Sequence, residues 1–89
     1  RSAGDYPTSH ALARHTYHRQ QHTLGEQHPS TITAAAHLAA TLRALGDYAG
    51  ARTLHEDVLT RSRRILGEDH PDTISAAANL ATTLRAIGD

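Results

Sequence analysis

The stretch Gly25 to Asp47, GEQHPSTITAAAHLAATLRALGD, is followed 42 residues later by Gly67 to Asp89, GEDHPDTISAAANLATTLRAIGD, with 17 of 23 positions identical. Working outward at the same offset, Gly4-Asp5-Tyr6 matches Gly46-Asp47-Tyr48, and Arg1 matches Arg43 and Arg85. The whole chain is therefore in register with itself, which is the mark of a repeat array. The segment Tyr6 to Leu24 shares only four of 19 positions with Tyr48 to Leu66, namely Tyr6, Leu12, Arg19 and Leu24. One half of the unit is held nearly constant while the other drifts.

Eighty-nine residues allow one domain with a thin core. Phe, Trp, Met and Cys are absent, so burial falls to Leu, Ile, one Val and many Ala. Alanine contributes helix propensity and close backbone approach more than apolar area. Without Cys there is no disulfide, thiol nucleophile or thiolate metal site. Nine Arg balance nine Asp plus Glu, which leaves no electrostatic footprint for nucleic acid or an anionic membrane. No apolar run approaches the ~20 residues of a membrane span, and no signal-peptide pattern opens the chain. These features predict a soluble, cytoplasmic protein.

The punctuation predicts four helices, at about 5–24, 30–45, 48–66 and 72–87. Gly4-Asp5 and Gly46-Asp47 each combine a residue that tolerates a left-handed backbone with an acceptor for the free N–H groups of the next helix. Leu-Gly-Glu-x-His-Pro, at Leu24 and again at Leu66, stops one helix at Gly and starts the next near Pro. The pairs Ser30-Thr31 and Asp72-Thr73 offer acceptors or negative charge at those helix starts, and His28 and His70 set the turn. Arg1-Ser2-Ala3 matches Arg43-Ala44-Leu45 and reads as the last turn of a helix whose body lies before this stretch.

In the second and fourth helices, Ile32/Ile74, Ala35/Ala77, Leu38/Leu80, Ala39/Ala81, Leu42/Leu84 and Leu45/Ile87 fall at inward spacing. Their small members let two neighbours pack on each helix, as in the middle of a solenoid. In the third helix Ala51, Leu54, Val58, Ile65 and Leu66 form the apolar stripe, with Arg52, Glu56, Arg63 and Arg64 outside it.

The order Leu38-Ala39, Leu42, Gly46-Asp47-Tyr48, Ala51, Val58 resembles the tetratricopeptide repeat signature. The 42-residue period, with its extra length at Leu-Gly-Glu-Asp-His-Pro-Asp-Thr, resembles the kinesin light chain subtype. Ser9, Ala13 and His55 depart from the residues the signature favours. The resemblance implies an all-α fold of antiparallel helix–turn–helix repeats, a fragment of a right-handed α-solenoid. In that frame 5–24 and 48–66 are helices B, and 30–45 and 72–87 are helices A. It further implies a non-catalytic scaffold that binds a protein or peptide in a groove lined by helices A.

The differences between the near-identical halves mark the candidate groove. Ser30/Asp72, Thr33/Ser75, His37/Asn79 and Ala40/Thr82 follow one another at spacings of 3, 4 and 3, a single helical stripe. The expected peptide-binding residues are Thr33, His37, Ala40 and Arg43 with Ser75, Asn79, Thr82 and Arg85. The family places a backbone-contacting residue at the position of Asn79, and Arg43 and Arg85 favour an acidic side chain or free carboxylate in the partner.

A competing reading is a metal-binding module through His15, His18 and His22, which share one face of the first helix. Their equivalents Asp57, Thr60 and Arg64 make the position outward and unspecialised. No Gly-rich phosphate loop or oriented Ser/His/acid set supports a hydrolase, and no cofactor is expected. A third reading is a structural repeat that assembles with itself, by head-to-tail stacking or a swapped dimer, since short solenoids expose their ends.

Overall fold

The computed structural model describes residues 5–88, with side chains from residue 9 onward. The reading made for Arg1 to Gly4 lies outside the described residues. Within them the chain is four helices: α1 (Asp5–Leu24), α2 (Pro29–Ala44), α3 (Tyr48–Ile65) and α4 (Pro71–Ile87). No strand occurs among the described residues. Each extensive helix contact is between consecutive helices, α1 with α2, α2 with α3 and α3 with α4. The result is a slab of 37 × 34 × 19 Å. This is an all-α fold of antiparallel helix–turn–helix repeats.

The turns follow from local chemistry, with one change from the sequence reading. Gly67 has φ +94°, a left-handed backbone that lets the chain leave α3 and turn back. The helix that follows is capped by the histidine of the His-Pro pair, not by Ser30-Thr31 or Asp72-Thr73. His28 Nδ1 accepts from the Ser30 N–H at 3.0 Å, and His70 Nδ1 accepts from the Asp72 N–H at 3.0 Å. The imidazole reaches one orphan donor of the first turn while Pro, which has no N–H, occupies another. Thr31 is instead buried and donates to the Gln20 carbonyl, linking α2 to α1. At α3, Asp47 Oδ1 accepts from the Gly50 N–H at 3.0 Å. A Cβ on Gly50 would come within 2.6 Å of the Asp47 carboxylate, so glycine makes room for the cap.

The core joins Ala13 and Tyr17 of α1, Ile32, Ala35 and Leu38 of α2, Val58 and Leu59 of α3, and Ala76 of α4. α2 is covered on two sides and buries Thr31, Ala34 and Leu38 as well as Ile32, Ala35 and Ala39. α4 carries nearly the same sequence but packs extensively on α3 alone. The inward assignment for Ile74, Ala77, Ala81 and Ile87 is therefore corrected: Ile74 is 58 % exposed where its repeat equivalent Ile32 is 4 % exposed, and Ala77, Ala81 and Ile87 are exposed too. Leu45 at the end of α2 is likewise exposed. The covered side of α4, Thr73, Ala76 and Thr83, matches the side of α2 that rests on α1, Thr31, Ala34 and Thr41.

α3 buries more polar matter than its stripe implied. Arg52, Glu56, Arg63 and Arg64 are exposed, but His55, Arg61 and Ser62 are buried beside Ala51, Val58 and Leu59. The Arg61 guanidinium donates to the Tyr17 hydroxyl at 3.0 Å, to the Glu26 carbonyl at 3.3 Å and to the Asp57 carboxylate. It also pairs with the Glu26 carboxylate at 3.3 Å. Burial opposes its charge, but the hydrogen bonds to Tyr17 and Asp57 outweigh it and hold its pKa above the ordinary value.

Candidate functional site

A cleft of about 130 Å³ lies between α2 and α4 with α3 as its floor. Thr33 and Ala36 stand on the α2 wall, Ser75 and Asn79 on the α4 wall, and Val58 and Ser62 at the bottom. Asp72 sits at one rim, where the first turn of α4 carries its charge. Helical spacing produces the two walls: Thr33 and Ala36, like Ser75 and Asn79, are three or four residues apart and share a face.

The same cleft recurs one repeat earlier. Thr16 and Gln20 of α1 with Ser30, Thr33, Ala34 and His37 of α2 line a second depression. At the offset of 42 these are the equivalents of Val58, Ser62, Asp72, Ser75, Ala76 and Asn79. Thr33 belongs to both clefts. The first cleft lacks the second wall that α2 supplies to the other, and its floor is polar where the second has Val58.

Three of the sequence-derived residues, Thr33, Ser75 and Asn79, thus meet in the closed cleft, and His37 joins Thr33 in the open one. Ala40, Arg43, Thr82 and Arg85 line neither. The Thr82 hydroxyl turns back onto the Ala78 carbonyl at 3.0 Å, and Arg85 is exposed. Arg43 is half-buried, its Nη1 is without a hydrogen-bond partner, and its charge reaches His55. His55 is itself 1 % exposed with both ring nitrogens unpartnered. Burial first, and then the Arg43 charge, lower its pKa from the ordinary histidine range.

Sequence reasoning missed the floor. Val58 and Ser62 lie in the half of the repeat that drifts, so the comparison of the near-identical halves could not reach them. Their signal was positional: both fall on the apolar side of α3 one turn apart.

The histidine face of α1 is open. His15, His18 and His22 are exposed, and His18 Nδ1 lies 3.2 Å from Gln21 Oε1. Among the described residues no group of three His, Asp or Glu side chains stands close enough to hold a metal ion. No described helix is long and apolar enough to cross a membrane.

Residues 31–72 match the family model described as Tetratricopeptide repeat. The matched stretch runs from the first turn of α2 through α3 to the start of α4, one full period of the array. The stacked antiparallel helices are consistent with that likeness, which covers just under half of the chain. Among curated proteins, none matches the chain.

Proposed function

We propose that the chain is a non-catalytic scaffold that binds an extended segment of a partner protein across α2 and α4. The observation that carries this reading is the periodic cleft. Three of the positions that change between two otherwise near-identical helices, Ser30/Asp72, Thr33/Ser75 and His37/Asn79, line it in both repeats beside the constant Ala34/Ala76, while the fourth, Ala40/Thr82, lies outside. Free variation at a solvent-open, concave stripe, on a scaffold whose other positions are held, is what a recognition surface on a repeat array requires. Asn79 supplies both a donor and an acceptor for a partner backbone. Arg85, exposed beyond the clefts on α4, favours an acidic residue or terminal carboxylate where the partner segment runs past the end of the groove. The period of 42 supports the kinesin light chain-like subtype.

The test is to capture a partner with this chain, map its bound segment by cross-linking, and titrate that segment against variants. Asn79→Ala and Thr33→Arg should weaken binding by at least tenfold with unchanged helicity. Arg63→Ala and Arg64→Ala on the outer face serve as controls. Loss of binding in the controls alone moves the site to the convex side and refutes the groove.

A second reading, self-association, is favoured by the uncovered face of α4. Ile74, Ala77 and Ala81 are exposed where Ile32, Ala35 and Ala39 are covered by α3. The other end is less suited to head-to-tail stacking, because α1 presents Thr16, Arg19 and Thr23 where α3 has Val58, Arg61 and Ile65. Only Leu12, 63 % exposed, is apolar among the described side chains of that row. Sedimentation of the wild type and Ile74→Glu over a concentration series checks it. Equal, monomeric behaviour of the two removes the reading.

A further inference from the structure

The floor of the closed cleft holds an unspent hydrogen bond. Ser62 is 1 % exposed, and its hydroxyl has no partner among the described residues. Other hydroxyls on these helices close onto the carbonyl one turn back: Thr33 on Pro29, Thr53 on Ala49, Thr60 on Glu56, Thr82 on Ala78. Ser62 does not. At the equivalent place in the open cleft, the buried Gln20 Oε1 is also without a partner. Polar capacity at this one register position therefore recurs with the repeat.

We infer that the cleft between α2 and α4 takes a threonine side chain from an extended segment of a partner protein, its methyl against Val58 and Ala36 and its hydroxyl on Ser62 Oγ. The inference rests on the groove reading above and names what the groove selects. Size sets the first limit. The cleft is open along one side, and its volume of about 130 Å³ is the room that one short side chain fills. Charge sets the second, because the Asp72 carboxylate at the rim repels an acidic occupant. Hydrogen bonding sets the third. A valine of the same shape would fill the space but leave Ser62 Oγ, already shielded from water, without a partner, whereas threonine supplies one. Recognition sites of this kind combine apolar walls with a single placed polar group that supplies the discrimination.

The probe is a display library of random peptides panned on the wild-type chain, on Ser62→Ala, and on Asn79→Arg, which fills the cleft mouth. Ser62→Ala suits a helix interior and should keep the wild-type melting behaviour, checked by circular dichroism. The expected result is peptides retained by the wild type and lost on Asn79→Arg, with one position enriched in threonine. Synthetic threonine and valine versions of such a peptide should then differ about fivefold in affinity on the wild type. On Ser62→Ala the preference should vanish or pass to valine. If peptides depend on Asn79 but show no threonine preference, or the same preference on Ser62→Ala, this inference falls and the groove remains. If nothing is retained by the wild type over Asn79→Arg, both fall.

Discussion

Arg61 Nη2 donates to the Tyr17 hydroxyl at 3.0 Å, joining α3 to α1 although the two helices are separated in the chain by all of α2. The same guanidinium holds the Glu26 carbonyl of the intervening turn and the Asp57 carboxylate on its own helix. A single buried cation thereby fixes the angle between three consecutive pieces. Its repeat equivalent Arg19 is exposed, because α1 has no earlier B helix beside it among the described residues.

Arg61→Ala should cost about 2–3 kcal/mol in urea unfolding, the worth of hydrogen bonds to charged groups with one buried partner stranded. Tyr17→Phe removes one of those bonds and should cost about 1 kcal/mol. Amide exchange in α1 should accelerate more than in α4. A loss spread evenly over the helices would show that the guanidinium does not tie α1 in place.

Ile32 and Ile74 are the same residue at the same place in the repeat, yet the same change should be costly at one and nearly neutral at the other. Ile32→Ala opens a cavity in a closed core and should cost about 2–4 kcal/mol, whereas exposed Ile74→Ala should stay within about 0.5 kcal/mol. Chemical denaturation of both variants at low concentration checks it.

His55 makes stability fall in acid. Its folded pKa lies below the unfolded value of 6.5, so near that pH the unfolded chain takes up a proton that the native site refuses. Its contribution is complete above about pH 6.5 and is lost as the pH drops from there toward the lowered folded value. His55→Leu should flatten the difference between midpoints at pH 7.5 and pH 5.5 relative to wild type. Identical pH profiles for the two proteins would refute it.

His70→Ala should cost about 1 kcal/mol, the usual worth of a helix N-cap. His70→Asn should restore most of that, since a short carbonyl can accept from the Asp72 N–H as Nδ1 does. Failure of the asparagine rescue, measured by thermal melting, would mean the imidazole matters for packing more than for capping.

The helices and turns were legible because glycine, proline and the period of 42 are local statements, and local chemistry is what a sequence spells out. Coverage was not. α2 and α4 read almost identically, yet Ile32 is enclosed and Ile74 is bare, because burial depends on which helix lies alongside. Arg61 was hidden for the same reason: nothing separates it from Arg63 and Arg64 except the position of Tyr17 in space. The walls of the cleft could be found from Thr33/Ser75 and His37/Asn79, whose differences stand out against a constant background. Its floor could not, since Val58 and Ser62 sit where the two halves share little.

Because extensive packing is confined to consecutive helices, most contacts close over short chain distances, and little loop entropy must be spent before the first pair forms. Folding should therefore be fast and can begin at any of the three turns between the described helices. The α2–α3 pair, flanked on both sides, is the place where protection from exchange should last longest, and opening should proceed inward from α1 and α4. A recognition surface whose second wall is α4 is then assembled late and lost early. A bound segment that bridges α2 and α4 would slow the departure of α4, so occupancy of the cleft can be read as a change in the order in which the helices exchange.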